Sequence, residues 1–161
     1  MAAEKTYDSI ASSTLTTSSN SIIFSSIPST FTDLVLVTSG TSPEGVAIAY
    51  RFNGDTSSNY YDGYLYGDAG GVGRGVHSGD VRTYGGVVNT SISTGILQIQ
   101  NYSNVNIRKP FIIKSGTGTT ANTLFAGYWS STSAINSIEV FNYQGNFDSG
   151  FIASLYGITC A

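Results

Sequence analysis

The feature that most constrains this chain is a succession of short apolar or alternating runs, each closed by turn residues, with no stretch of helical periodicity. Residues 46–52 show it most cleanly. Val46, Ile48, Tyr50 and Phe52 alternate with Ala47, Ala49 and Arg51, and Asn53-Gly54 follows at once. A period of two puts the first set on one face of a strand, and Asn-Gly is a strong hairpin signal. Residues 33–37 (Asp-Leu-Val-Leu-Val) form an apolar run bounded by Thr38-Ser39-Gly40, the pattern of a strand buried on both faces. Further strands are predicted over 6–15, 21–24, 60–66, 96–100, 109–114, 122–129, 138–140 and 151–158. This makes about nine or ten strands spaced roughly 10–14 residues apart, as in antiparallel sandwiches and barrels. No window places apolar residues at i, i+3, i+4 and i+7 among helix formers, which disfavours crossover helices and a parallel α/β sheet. The expectation is a single all-β domain over 1–161, an antiparallel, jelly-roll-like β-sandwich.

Charge excludes some partners. Charged residues are 11% of the chain, against about 25% in ordinary domains. Ser, Thr, Asn and Gly take their place. The net charge is −3, the seven Lys and Arg are scattered, and only Arg108-Lys109 are adjacent. Without a basic stripe to neutralise phosphates, nucleic acid is not an expected partner. No apolar run approaches the roughly 18 residues of a membrane helix, and residues 1–6 hold no signal-like apolar segment. A membrane is therefore not expected as a partner either. Low charge density leaves little self-repulsion between copies, which is compatible with dense assembly. Cys160 is the only cysteine, so no internal disulfide can form, and it reads as an ordinary thiol.

Residues 67–86 contain eight glycines in twenty positions and read as a projecting Gly-rich loop that becomes ordered against something, such as a neighbouring subunit. They do not form a nucleotide site. After Gly73 and Gly75 the required third glycine is Ser78, and no phosphate-loop lysine is present. His77 is the only histidine, and a loop holds a general base poorly. Zinc needs three or four ligands in fixed geometry, which one His and one terminal Cys do not supply. Asp55, Asp62 and Asp68 read as turn residues rather than calcium ligands. No catalytic set, metal site or cofactor is expected. Tyr60, Tyr61, Tyr64 and Tyr66 are more informative, since Tyr64 and Tyr66 share a strand face. Half-buried sheet packing, an oligomer interface and a carbohydrate platform are all open readings of them. The candidate contact residues are Tyr61, Tyr64, Tyr66, Arg74, His77 and Arg82.

Several blocks resemble small virion proteins of tailed bacteriophages, especially those of cyanobacteria and marine bacteria. They are 24–37 (Phe-Ser-Ser-Ile-Pro-Ser-Thr-Phe-Thr-Asp-Leu-Val-Leu-Val), 51–60 (Arg-Phe-Asn-Gly-Asp-Thr-Ser-Ser-Asn-Tyr), 99–103 (Ile-Gln-Asn-Tyr-Ser), Trp129 with 131–136, and 155–158 (Leu-Tyr-Gly-Ile). Residues 67–88 depart from that pattern. The resemblance implies a β-sandwich that decorates the capsid as a cement protein or forms part of a tail or fibre, and a chain with almost nothing beyond the domain is expected to be a stand-alone decoration protein. Its partners would be the major capsid protein and its own copies, as a dimer or trimer. Its place would be the virion surface, with the host cytoplasm during assembly. The alternative is a receptor- or carbohydrate-binding module of a tail fibre, using residues 60–66 or Trp129.

Overall fold

The protein is described here by a computed structural model covering residues 6–118 and 121–159, so Cys160 lies outside the described residues. The chain runs as β1 (Asp8–Thr14), β2 (Ser21–Phe24), β3 (Asp33–Gly40), β4 (Val46–Phe52), β5 (Tyr60–Asp68), β6 (Gly71–Asp80), β7 (Thr83–Val88), β8 (Ser93–Ile99), β9 (Lys109–Thr117), β10 (Ala121–Trp129), β11 (Ile138–Asn142) and β12 (Ile152–Ile158). They form two antiparallel sheets. The larger has the order β1-β12-β3-β8-β9-β10-β5-β6, and the smaller β2-β11-β4-β7. This is the expected β-sandwich.

Alternation builds the core. Leu34, Leu36, Leu97, Ile99, Phe111, Ile113 and Leu155 face inward from the large sheet, and Ile22, Phe24, Ile48, Tyr50, Phe52, Ile138 and Val140 from the small one. On the far side of the small sheet Arg51 donates to Glu139 at 2.6 Å and lies over the Phe141 ring. Central β3 has Leu34, Val35 and Leu36 all buried, as its unbroken apolar run predicts.

The structure corrects two sequence expectations. Asn53-Gly54 is a tight turn, with both residues at positive φ (53° and 66°), but it does not close a hairpin. β4 belongs to the small sheet and β5 to the large one, so this turn is a corner between layers. Asn53 fastens the corner by donating to Ala134 O and accepting from the Asn136 and Ser137 amides. The second correction concerns residues 67–86, which are not a projecting loop. They contain the end of β5, all of β6 and the start of β7. These two extra strands account for twelve where about ten are expected.

Two polar groups are structural. Asp55 accepts from the Ser57 amide (2.9 Å), Asn59 Nδ2 (2.8 Å) and Trp129 Nε1 (2.7 Å). Burial pushes its pKa up, but the bonds from Asn59, Ser57 and Trp129 outweigh this and hold it below the ordinary carboxylate value. Lys109 is buried and donates to the carbonyls of Asn104, Ile107 and Thr132. Burial lowers its pKa.

Two predictions follow from these groups. Lys109→Met leaves three inward-facing carbonyls without a donor and is expected to cost about 3–5 kcal/mol, read by urea unfolding. Because Asp55 has a depressed folded pKa, its contribution is full above the unfolded value of about 3.9 and fades as pH falls through the lower folded value. Unfolding free energy measured against pH should therefore fall less steeply at the acid end in Asp55→Asn than in the wild type.

Candidate functional site

Strand alternation splits the β5–β6 hairpin into two chemically different surfaces. In the pairing, Asp62 faces His77, Tyr64 faces Gly75, and Tyr66 faces Gly73, all on the side toward the small sheet. Gly63 faces Val76, Leu65 faces Arg74, and Gly67 faces Val72 on the opposite side. Glycine at 73 and 75 makes room for the tyrosine rings where they lie. A Cβ there would lie 2.4 Å from the Tyr66 and Tyr64 rings respectively. The tyrosine rings thus reach across β6 and cover its backbone, an aromatic-over-glycine pairing that compensates for the missing side chains.

The inner surface is organised by a buried carboxylate. The Asp62 side chain is fully buried. Its Oδ1 accepts from His77 Nδ1 at 2.7 Å, and its Oδ2 accepts from Thr83 Oγ1 at 2.9 Å. These bonds join β5, β6 and β7, and so connect the large sheet to the small one. A carboxylate that accepts from Nδ1 fixes the orientation of the imidazole and leaves Nε2 on its far side. No described group bonds to Nε2. The imidazole is clamped between rings, 5.1 Å from Tyr64 and 4.8 Å from Tyr84. Phe125 lies 5.4 Å from Tyr64 behind them.

A groove of about 390 Å³ opens beside this cluster. Its large-sheet wall includes Tyr64, Tyr66, Asp68, His77, Thr123 and Phe125, and its small-sheet wall Ala47, Tyr84, Gly86 and Val87. It exists because the layers are unequal. β7, the edge of the small sheet, packs across β9 and β10 and has little contact with β5. Tyr84 continues the aromatic array to Tyr143 at 5.6 Å, and the Arg82 guanidinium lies 4.4 Å from the Tyr143 ring.

The outer surface is apolar and cationic. Val72 is 91% exposed, Val76 79% and Leu65 57%, with Leu124 and Ile96 also exposed on the same face. Arg74 and Lys114 stand among them, and Arg108 lies over Tyr128. No Asp or Glu points outward from β8, β9, β10, β5 or β6.

Of the residues singled out in the sequence, the structure brings Tyr64, Tyr66 and His77 together in the groove and puts Arg82 at the end of its aromatic array. Tyr61 and Arg74 point to the opposite face, where Tyr61 stacks on Tyr128 at 5.1 Å. His77 is no solvated loop residue but a half-buried strand residue. Asp62 is not in a turn, and Trp129 is a core residue unavailable to a ligand. Sequence reasoning missed Asp62, Thr83, Tyr84, Thr123 and Phe125. Asp62 carried a usable signal, since it has the same parity as Tyr64 and Tyr66.

No protein-family model and no characterised protein sequence matches the chain. Among solved structures it is similar in fold to an exo-inulinase from Aspergillus awamori (15% identity, TM-score 0.47), covering 94% of this chain and 29% of that one. This chain thus spans under a third of the inulinase. It is also similar to a tetrameric galectin from the ball sponge Cinachyrella sp. (8% identity, TM-score 0.41, 86% and 99% covered) and to a marine PL-14 alginate lyase from Aplysia kurodai (8%, 0.35, 84% and 72%). The likeness is one of architecture.

The Asp62 network gives a direct test. Asp62→Ala strands the Thr83 hydroxyl and releases the imidazole, and is expected to cost about 2–3 kcal/mol in chemical unfolding. The ¹⁵N shift of His77 Nδ1 should at the same time report the loss of its hydrogen bond to Asp62.

Proposed function

We propose that this protein is a structural virion subunit that decorates a phage capsid, binding the major capsid protein through the outer face of its large sheet. The observation that carries the reading is the exposed surface formed by Leu65, Val72, Val76 and Leu124 with Arg74 and Lys114. Contiguous apolar exposure on a sheet face marks an interaction surface. The chemistry of this one calls for a partner that is apolar and acidic where it docks. The resemblance of residues 24–37, 51–60 and 155–158 to tailed-phage virion proteins supports a shell as that partner.

The mechanism is adhesion, not turnover. A subunit that touches several capsid subunits gains affinity by multivalency without a single strong contact. A closed dimer or trimer suits a joint between capsomers, because symmetry repeats the same contact. The protein would assemble onto the shell in the host cytoplasm and remain on the virion surface.

Cryo-electron microscopy of virions reassembled with this protein tests the reading. The expected result is a stoichiometric outer layer with the Val72–Val76 face toward the shell. The double variant Val72→Glu/Val76→Glu should lower occupancy by about tenfold or more, because it puts charge into an apolar contact. A few copies at the tail tip, with a bare shell, would replace this reading with that of a tail-fibre receptor module.

A further inference from the structure

We propose that the groove between β7 and the β5–β6 hairpin is a binding site for an uncharged polysaccharide chain. The chain would lie against Tyr66, with Tyr64 behind it, and hydrogen-bond through its hydroxyls with His77 Nε2 and Asp68. This site is on the opposite face of the hairpin from the shell-docking surface and does not depend on that reading.

The first argument is the arrangement of the rings. Tyr64 and Tyr66 have centroids 6.4 Å apart and planes 33° apart, and both line the groove. Gly73 and Gly75 let them cross β6 where any side chain would displace them. Tyr66 remains 39% exposed at the groove mouth. An exposed tyrosine ring at the mouth of a groove suits the C–H face of a sugar ring, and phenol hydroxyls suit its hydroxyls.

The second argument is the cost of holding His77. Core filling does not need a fully buried carboxylate, which is expensive to desolvate unless its bonds are met. Here Asp62 spends both oxygens, one on His77 and one on Thr83. The outcome is an imidazole held through Nδ1, whose Nε2 has no partner among the described residues and whose side chain is 27% exposed. Orientation of a histidine through a buried carboxylate is how proteins set the ring for an external ligand.

The third argument selects the ligand. The polar groups that line the groove are the His77 imidazole, the hydroxyls of Tyr64, Tyr66, Tyr84 and Thr123, and the Asp68 carboxylate, one oxygen of which accepts from the Gly70 amide at 2.8 Å. They complement a ligand rich in hydroxyls, which both donate and accept. A purely aromatic ligand would leave these groups without partners. An anionic glycan would meet Asp68, and among the described residues no Lys or Arg lines this groove. The volume of about 390 Å³ lies within the roughly 300–1,000 Å³ of small-molecule sites.

The test is ¹H–¹⁵N NMR titration of the whole chain with uncharged tetrasaccharides (cellotetraose, laminaritetraose, mannotetraose and maltotetraose) and with acidic tetragalacturonate. The expected result is millimolar or tighter binding of at least one uncharged tetrasaccharide, with shifts centred on residues 64–68, 77 and 84. Tyr66→Ala, which removes the partly exposed ring over Gly73 and whose fold is checked by an unchanged ¹H–¹⁵N spectrum away from the hairpin, is expected to weaken binding about tenfold. Tyr66→Phe should retain most of it, and Ile23→Ser, on β2 of the small sheet, should leave it unchanged. Shifts from none of the uncharged sugars, shifts elsewhere on the surface, or equal binding by Tyr66→Ala would overturn the site. Tighter binding of tetragalacturonate would overturn the choice of an uncharged ligand. Capsid binding by a Tyr66→Ala protein that no longer binds sugar would show the two surfaces to be separate.

Discussion

The buried Asp62 carboxylate is the interaction on which the functional half of this molecule depends. It sits in a strand of the large sheet and accepts from His77 on the neighbouring strand and from Thr83 on the small sheet. A carboxylate in that position is costly unless every oxygen is satisfied, so its two donors are held firmly in place. Fixing Thr83 sets the start of β7, and fixing His77 sets the ring that Tyr64 and Tyr84 enclose. The edge hairpin is tied to the body by this network, and the groove beside it has a defined shape.

The same hairpin presents two chemically different surfaces because a strand has two faces. Toward the small sheet it presents Asp62, Tyr64, Tyr66 and His77. Away from it, it presents Leu65, Val72, Arg74 and Val76. A single-residue change in pairing would exchange these sets. Three features hold the register: the Asp62–His77 bond, the two tyrosine-over-glycine contacts, and the irregularity between Tyr60 and Tyr61. Surface adhesion on one side and a ligand groove on the other are therefore compatible within one small domain.

Much of the fold was legible in the sequence. The alternation of 46–52 and the apolar run of 33–37 both correspond to strands, with Ile48, Tyr50 and Phe52 in the core and Leu34, Val35 and Leu36 buried, and the absence of helical periodicity matches a two-sheet structure. The glycine-rich stretch was misread because glycine weakens a strand by propensity, and propensity sees only the strand itself. Its missing side chains are supplied by Tyr64 and Tyr66 from the next strand. The Asn53-Gly54 turn was recognised as a turn but assigned the wrong partner, since local geometry does not say to which sheet the departing strand belongs.

The sequence by itself determined the class of the fold, the positions of ten of its strands and the residue types that would do the work: tyrosines and one histidine near a glycine-rich stretch. The tertiary structure alone decided which of them meet. It grouped Tyr64, Tyr66 and His77, sent Tyr61 and Arg74 to the other face, buried Trp129, and recruited Asp62, Thr83, Tyr84 and Phe125. The physical reason is that alternation along one strand is a local property. Which residue lies opposite, and which sheet covers it, depends on pairing between segments far apart in the chain.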